Sequence, residues 1–197
     1  MAFPTSISAA QYSAVTVTRV APPAISTFNN TTLAALFNGQ TSAPRADYVE
    51  IKNIRDMPAF GTPANIIKVP VYGQAQTQSI GAQSDAPDLE LTVNFVPGDW
   101  AKAGAAFQNS GQTLGSGTLG DAIGDGISKV FQVALMTAKP ANLNTTAGAG
   151  GIGTVPNALI YFVGKIESLL VTPARDDAMT ATVALSIQSD FFGPYTI

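Results

Sequence analysis

Between positions 88 and 95 the chain alternates strictly: Leu89, Leu91, Val93 and Phe95 are apolar, and Asp88, Glu90, Thr92 and Asn94 between them are polar. A period of two puts the first set on one face of a β-strand and the second on the other. Pro97-Gly98 ends the strand. Beyond it Asp99 is suited to cap a helix, in which Trp100, Ala103, Gly104 and Phe107 recur at helical spacing. The expectation is strand, turn, helix, with Trp100 and Phe107 on the helix face that meets the core.

The same test along the chain finds mostly strands. Residues 14–20, 48–54, 128–137 and 158–171 read as strands. The cleanest is 179–187, where Met179, Ala181, Val183, Leu185 and Ile187 alternate with Thr180, Thr182, Ala184 and Ser186. Pro173, Asp176 and Asp177 make 172–178 a hairpin loop. A short helix is expected over 30–37, stopped by Gly39. Segment 56–77 differs. Pro58, Gly61, Pro63, Pro70 and Gly73 interrupt its apolar residues too often for a central strand, so it reads as a long loop or protruding hairpin. Stretches 110–126 and 140–156 are glycine-rich links. No internal repeat and no compositional break divides the chain, which reads as one domain, 1–197, with arms at 1–13 and 188–197.

Composition narrows the chemistry. Cysteine and histidine are both absent, which removes disulfides, thiolate and imidazole metal ligands, cysteine nucleophiles and the commonest general base. Charged residues make up 12% of the chain, against about 25% in an average soluble domain. A surface so sparsely charged suits being covered by neighbours. The net charge is −3 and Lys and Arg are not clustered, so nothing forms a basic patch for gripping nucleic acid. No apolar run spans a membrane and the N-terminus lacks a secretory pattern, so a cytoplasmic product is expected.

Several motifs dissolve under their own requirements. Gly148-Ala149-Gly150-Gly151-Ile152-Gly153 has dinucleotide-binding spacing but neither the strand before it nor the helix after it. The run from Asp121 to Gly126 hints at a calcium loop, yet Ile123 and Gln132 fall where oxygen ligands are needed. Asp88 and Glu90 share a strand face at a separation open to paired-acid catalysis, but no apolar pocket is implied that would raise one pKa. The expectation is no enzyme, no cofactor and no metal.

The run DAPDLELTVNFVPGDW, the interrupted segment before it, the hairpin-rich C-terminal half and the chain length together resemble the major tail tube proteins of long-tailed, non-contractile bacteriophages. The resemblance implies a mainly β, sandwich- or barrel-like tail tube fold with one flanking α-helix and long loops. It further implies homohexameric rings stacked into a hollow tube, with four strands per subunit closing a barrel around the lumen. The extra immunoglobulin-like domain of some relatives is not expected. Expected partners are other copies of the chain, then tape measure, terminator and distal tail proteins, with DNA passing transiently and no membrane bound. The location implied is the virion tail, assembled in the host cytoplasm.

On this reading Asp85, Asp88, Glu90, Thr92 and Asn94 face the lumen. Phe60, Ile66, Ile67, Tyr72, Phe191, Phe192 and Tyr195, costly to leave in water and punctuated by prolines, are expected to contact neighbouring subunits. The alternatives are a carbohydrate-binding or adhesin-like β-sandwich, or a minor virion component such as a tail terminator or capsid decoration protein.

Overall fold

In the computed structural model, which describes residues 13–37, 48–61, 66–69, 78–81, 88–108, 115–136, 157–175 and 177–195, the alternating stretches become strands of one antiparallel sheet. The strands are β1 (Ala14–Thr18), β2 (Tyr48–Ile51), β3 (Ile54–Asp56), β4 (Ile66–Val69), β5 (Gln78–Gly81), β6 (Leu89–Asn94), β7 (Lys129–Met136), β8 (Asn157–Thr172), β9 (Thr180–Ile187) and β10 (Phe192–Tyr195). Among the described residues the α-helices are α1 (Asn30–Phe37) and α2 (Leu119–Ala122). The eight-stranded sheet runs β2-β1-β7-β8-β9-β6-β3, with β10 also on β8; β4 and β5 pair only with each other. The protein is mainly β; of segment 56–77 only β4 and the end of β3 are strand, and β4 pairs with β5, which lies just beyond the segment, in a two-stranded sheet apart from the main one.

β8 folds the sheet over on itself. Its first half pairs with β7 as far as Lys129↔Gly164, and its second half pairs with β9 from Gly164↔Ile187 to Thr172↔Thr180. Gly164 sits at the crossover because a Cβ there would lie 2.7 Å from the Ser186 carbonyl oxygen. A bulge between Ile166 and Ser168 then re-aims the strand. At the far side β2 and β3 occupy opposite ends of the sheet, yet only Lys52 and Asn53 separate them. The alternation across 48–54 therefore does not make one strand. Asn53 takes φ 59°, which turns the chain from one layer to the other, and its carbonyl accepts the Asn94 N–H at 2.8 Å. Among the described residues the sheet is not closed into a barrel.

The two layers face each other across a core that draws on both: Val15, Val17, Phe131 and Phe162 from one, Leu89, Leu91, Val93, Ala181, Val183 and Leu185 from the other. Phe131 and Phe162 stack with ring centroids 5.0 Å apart. A second apolar cluster lies on the outer side of the first layer, where Leu33 and Phe37 of α1 cover Tyr48, Val130, Ala134, Leu159 and Tyr161. This is why β1 is buried on both faces. Within the cluster Thr16 donates to Gln132 at 3.2 Å and Gln132 donates to the Tyr161 hydroxyl at 3.1 Å. Burial pushes that phenol up to about 12, partly opposed by the Gln132 bond.

The helix expected beyond Asp99 does not form. Pro97–Asp99 is a 3-10 turn, and Asp99, instead of capping, lies 3.6 Å from Lys52. Gly104 has φ 72°, which breaks a helix. The N–H groups of Ala103 and Gly104, which a helix would have used, donate to the Asp121 carboxylate at 3.0 Å each. Trp100 and Phe107 nonetheless enter the main core, from an irregular segment rather than from a helix face. The stretch after it is likewise no mere link: residues 115–122 pack along that segment, and Gly117 N–H donates to Ala106 O at 3.0 Å.

Asp121 joins the two pieces. The Thr118 N–H at 2.8 Å, with those of Ala103 and Gly104, holds its carboxyl down at about 2 from an ordinary 3.8. A depressed acid contributes stability that is complete above its unfolded pKa and is lost as pH falls through the folded one. Asp121→Asn should therefore lower the unfolding temperature at neutral pH, with the gap to wild type shrinking between pH 3.8 and about 2. A constant gap across that window would refute the assignment.

The main core also contains a cation. Lys129 faces inward from β7, its side chain fully buried, with Nζ 2.6 and 2.7 Å from the Asp125 carboxylate oxygens and 2.8 Å from Ile127 O. The Phe107 ring lies over it, centroid 5.6 Å away. Burial lowers the lysine pKa, and Asp125 opposes the shift.

Candidate functional site

The outer side of the second layer is uncovered by any described element. β6 presents Glu90, Thr92 and Asn94 there, and Asp88 is exposed just before the strand. Register continues the surface across the sheet: Glu90 lies opposite Ala184, Thr92 opposite Thr182 and Asn94 opposite Thr180. On β8 those rows end in Ser168, Leu170 and Thr172. Asp56 of β3 pairs with Thr92 from the other flank. With rows about 7 Å apart along a strand and strands about 4.8 Å apart, this is a polar face dominated by hydroxyls. Its carboxylates are Asp56, Asp88 and Glu90, and no aromatic residue lies on these rows.

Folding adds one residue that sequence order concealed. Lys165, opposite Ser186, points to the same side at the edge of this face and is half-buried. It is remote in sequence from the acidic run. The signal that could have found it is the alternation of β8, in which Lys165 is out of phase with the core residue Ile166.

Of the residues expected to face a lumen, Asp88, Glu90, Thr92 and Asn94 thus share one face, and Asp85 lies outside the described residues. The residues expected to reach neighbouring subunits are placed differently. Phe60 packs against the main core with its ring 6.0 Å from Phe191, and Phe191 lies 5.3 Å from Phe162. Phe192 meets Phe28 edge-on at 4.9 Å, and Tyr195 lies 6.1 Å from Tyr161. Phe192–Tyr195 is itself a strand on β8. The chain ties down its own C-terminal aromatics, so the argument that they would fray without a neighbour fails. Ile66 and Ile67 lie in β4, and Tyr72 falls outside the described residues, as do residues 1–12, 140–156 and Gly39.

Two acids of the calcium-like run have structural work: Asp121 holds three backbone N–H groups, and Asp125 holds Lys129 and the Ile127 N–H. Among the described residues no group of three or more acids is arranged to hold a metal ion, and no helix is long and apolar enough to cross a membrane. Compared with known proteins, the chain matches no protein family and no curated protein.

Proposed function

We propose that this chain is the subunit of a phage tail tube: it polymerises as stacked hexameric rings, and the open face of β6, β9 and β8 lines the conduit through which DNA passes. The observation that carries the reading is the composition of that face. It is broad, uncovered by any described element and hydroxyl-rich, and its carboxylates Asp56, Asp88 and Glu90 outnumber its cations, Lys165 at the edge and Arg55 of β3, the latter 3.8 Å from the Asp177 carboxylate. In a ring each acid is repeated around the wall. Such a wall repels phosphates at separations within the screening length, roughly 8 Å at physiological salt, and its few cations are outnumbered by acids, Arg55 being engaged by Asp177. The acids serve passage rather than catalysis. A carbohydrate-binding module would instead present aromatic rings for sugar stacking, which these rows lack.

Two measurements test the reading. Electron microscopy and sedimentation of the purified chain should show rings or tubes; stable monomers at high concentration, with no tubes in the parent particle, would refute it. Replacing Asp88 and Glu90 with Lys should leave tubes intact while genome delivery slows or stalls. A tube structure with both side chains on the exterior would end the lumen assignment.

A further inference from the structure

A polar row crosses the first layer beneath α1. Glu50 of β2 stands opposite Thr16, Thr16 opposite Gln132 and Gln132 opposite Tyr161, and residues directly opposite in a sheet point to the same side. Tyr48, two residues before Glu50, lies in the cluster that α1 covers, which fixes the side. Hydrogen bonds from Thr16 to Gln132 and from Gln132 to Tyr161 join the row. The Thr16 hydroxyl has one hydrogen and commits it to Gln132, so toward Glu50 it can only accept. A carboxylate has nothing to donate to it; a protonated carboxyl does.

Glu50 also lacks a cation of its own. It is half-buried, and among the described residues it forms no ion pair. β1 and α1 contain no charged residue, and Tyr161 at the far end of the row stays neutral. The charges that reach Glu50 are Lys52, just past the end of its own strand, and Asp99, in the turn after β6. Lys52 lies 3.6 Å from Asp99. Two carboxylates therefore compete for one lysine where the chain passes from the first layer to the second. Burial raises the Glu50 pKa; Lys52 opposes the shift and Asp99 adds to it.

We propose that Glu50 is a proton switch at this joint: with a proton it donates to Thr16 and leaves Lys52 wholly to Asp99, and so fastens β2 to β1 and the first layer to the second. The inference concerns a single chain and stands apart from the tube reading. Its sign follows from linkage. A carboxyl that titrates higher in the fold than in the unfolded chain holds its proton more tightly when folded. Stability therefore rises as pH falls through the folded pKa, and the gain is complete below the ordinary value of 4.5. Asp121 acts in the opposite sense and in a lower window, below 3.8, so the two effects separate.

Glu50→Gln, a permanent mimic of the protonated carboxyl, should melt above wild type at neutral pH, and the gap should close as pH falls toward 4.5. Amide exchange of Ile51 in β2, and of Asn94, whose N–H donates to the Asn53 carbonyl across the joint, should slow in the same variant. Thr16→Val removes the acceptor and should reduce the gain from Glu50→Gln. The charge assignments carry opposite signs and are read in the folded chain. In an NMR titration of the Glu50 carboxyl, wild type should titrate above 4.5, Lys52→Met higher still, and Asp99→Asn lower than wild type. Three results would each overturn the switch: Glu50→Gln melting at or below wild type at neutral pH, a wild-type carboxyl titrating at or below 4.5, or an Asp99→Asn titration that does not move.

Discussion

Asp125→Ala is expected to destabilise the protein by roughly 3–5 kcal/mol, the cost typical of stranding one partner of a buried ion pair. Lys129 has no exposed side-chain surface and Asp125 only 16%, so water cannot replace the lost carboxylate. The apolar ring of Phe107 and the core beneath it offer no alternative acceptor for the ammonium beyond Ile127 O. The loop loses a second contact, since Asp125 also accepts the Ile127 N–H at 2.9 Å. The direction of the lysine shift makes the companion result more informative. Burial outweighs Asp125 in lowering the Lys129 pKa, so the charged form is disfavoured in the fold even with its partner present. Stability should then rise as pH climbs from the folded pKa toward that of an unfolded lysine. Lys129→Met with Asp125→Ala should be near neutral or stabilising, because a buried pair replaced by apolar groups often is, and Lys129→Met alone should cost less than Asp125→Ala, since Asp125 keeps the Ile127 N–H and some exposure. Urea unfolding of the two single variants and the double one decides the matter. Equal losses from both single variants would show that the pair stabilises the fold outright.

Lys129 also marks where sequence reading ends. In the run KVFQVALM a nearly continuous apolar stretch gives a strand buried on both faces, and the inward phase of Phe131 and Val133 is set by the fold. By the same phase Lys129 points inward, but a lysine at a strand terminus is ordinarily solvated, and the carboxylate that keeps it inside is supplied by the preceding loop. β6 and β9 were legible because each has one buried and one open face, the condition under which period two is visible, whereas β3 was merged with β2. β6 and β9 show it in their burial. β1 shows no such contrast, because α1 covers its other face. The expected helix over 100–107 went wrong for a different reason. Helical spacing of Trp100 and Phe107 was real, and both are buried. However, the backbone bonds were decided by Asp121, many residues downstream. Strand order, the turn at Asn53 and the arrival of Lys165 beside the acids are likewise products of long-range pairing that no local window contains. The acidic face itself was legible residue by residue. Its neighbours from β8 and β9 were not.

Gly120→Ala should unfold or loosen the segment that carries Trp100, and Gly115→Ala and Gly117→Ala should do the same to its end at Phe107. A Cβ on Gly120 would stand 2.3 Å from the Trp100 carbonyl oxygen; on Gly117, 2.5 Å from the Ala105 oxygen and 2.7 Å from the Phe107 nitrogen; on Gly115, 2.0 Å from the Phe107 oxygen. Every obstructing atom is backbone, so no rotamer change relieves the overlap. The two pieces must part, or the N–H groups held by Asp121 must let go. Overpacking a core ordinarily costs about 1–3 kcal/mol, and these sites belong at or above the top of that range. Gly98→Ala is the control. No heavy atom lies within 4 Å of a Cβ there, and a Gly-to-Ala change at an unstrained position gains roughly 0.4–1 kcal/mol from the unfolded chain. Trp100 is the single tryptophan and is 7% exposed, so its fluorescence reports the outcome directly. In Gly120→Ala the emission should shift to the red and the unfolding midpoint should fall, while Gly98→Ala keeps the wild-type spectrum. If Gly115→Ala and Gly120→Ala instead melt with wild type, residues 115–122 do not lie against the Trp100 segment, and the account of why no helix forms there is wrong.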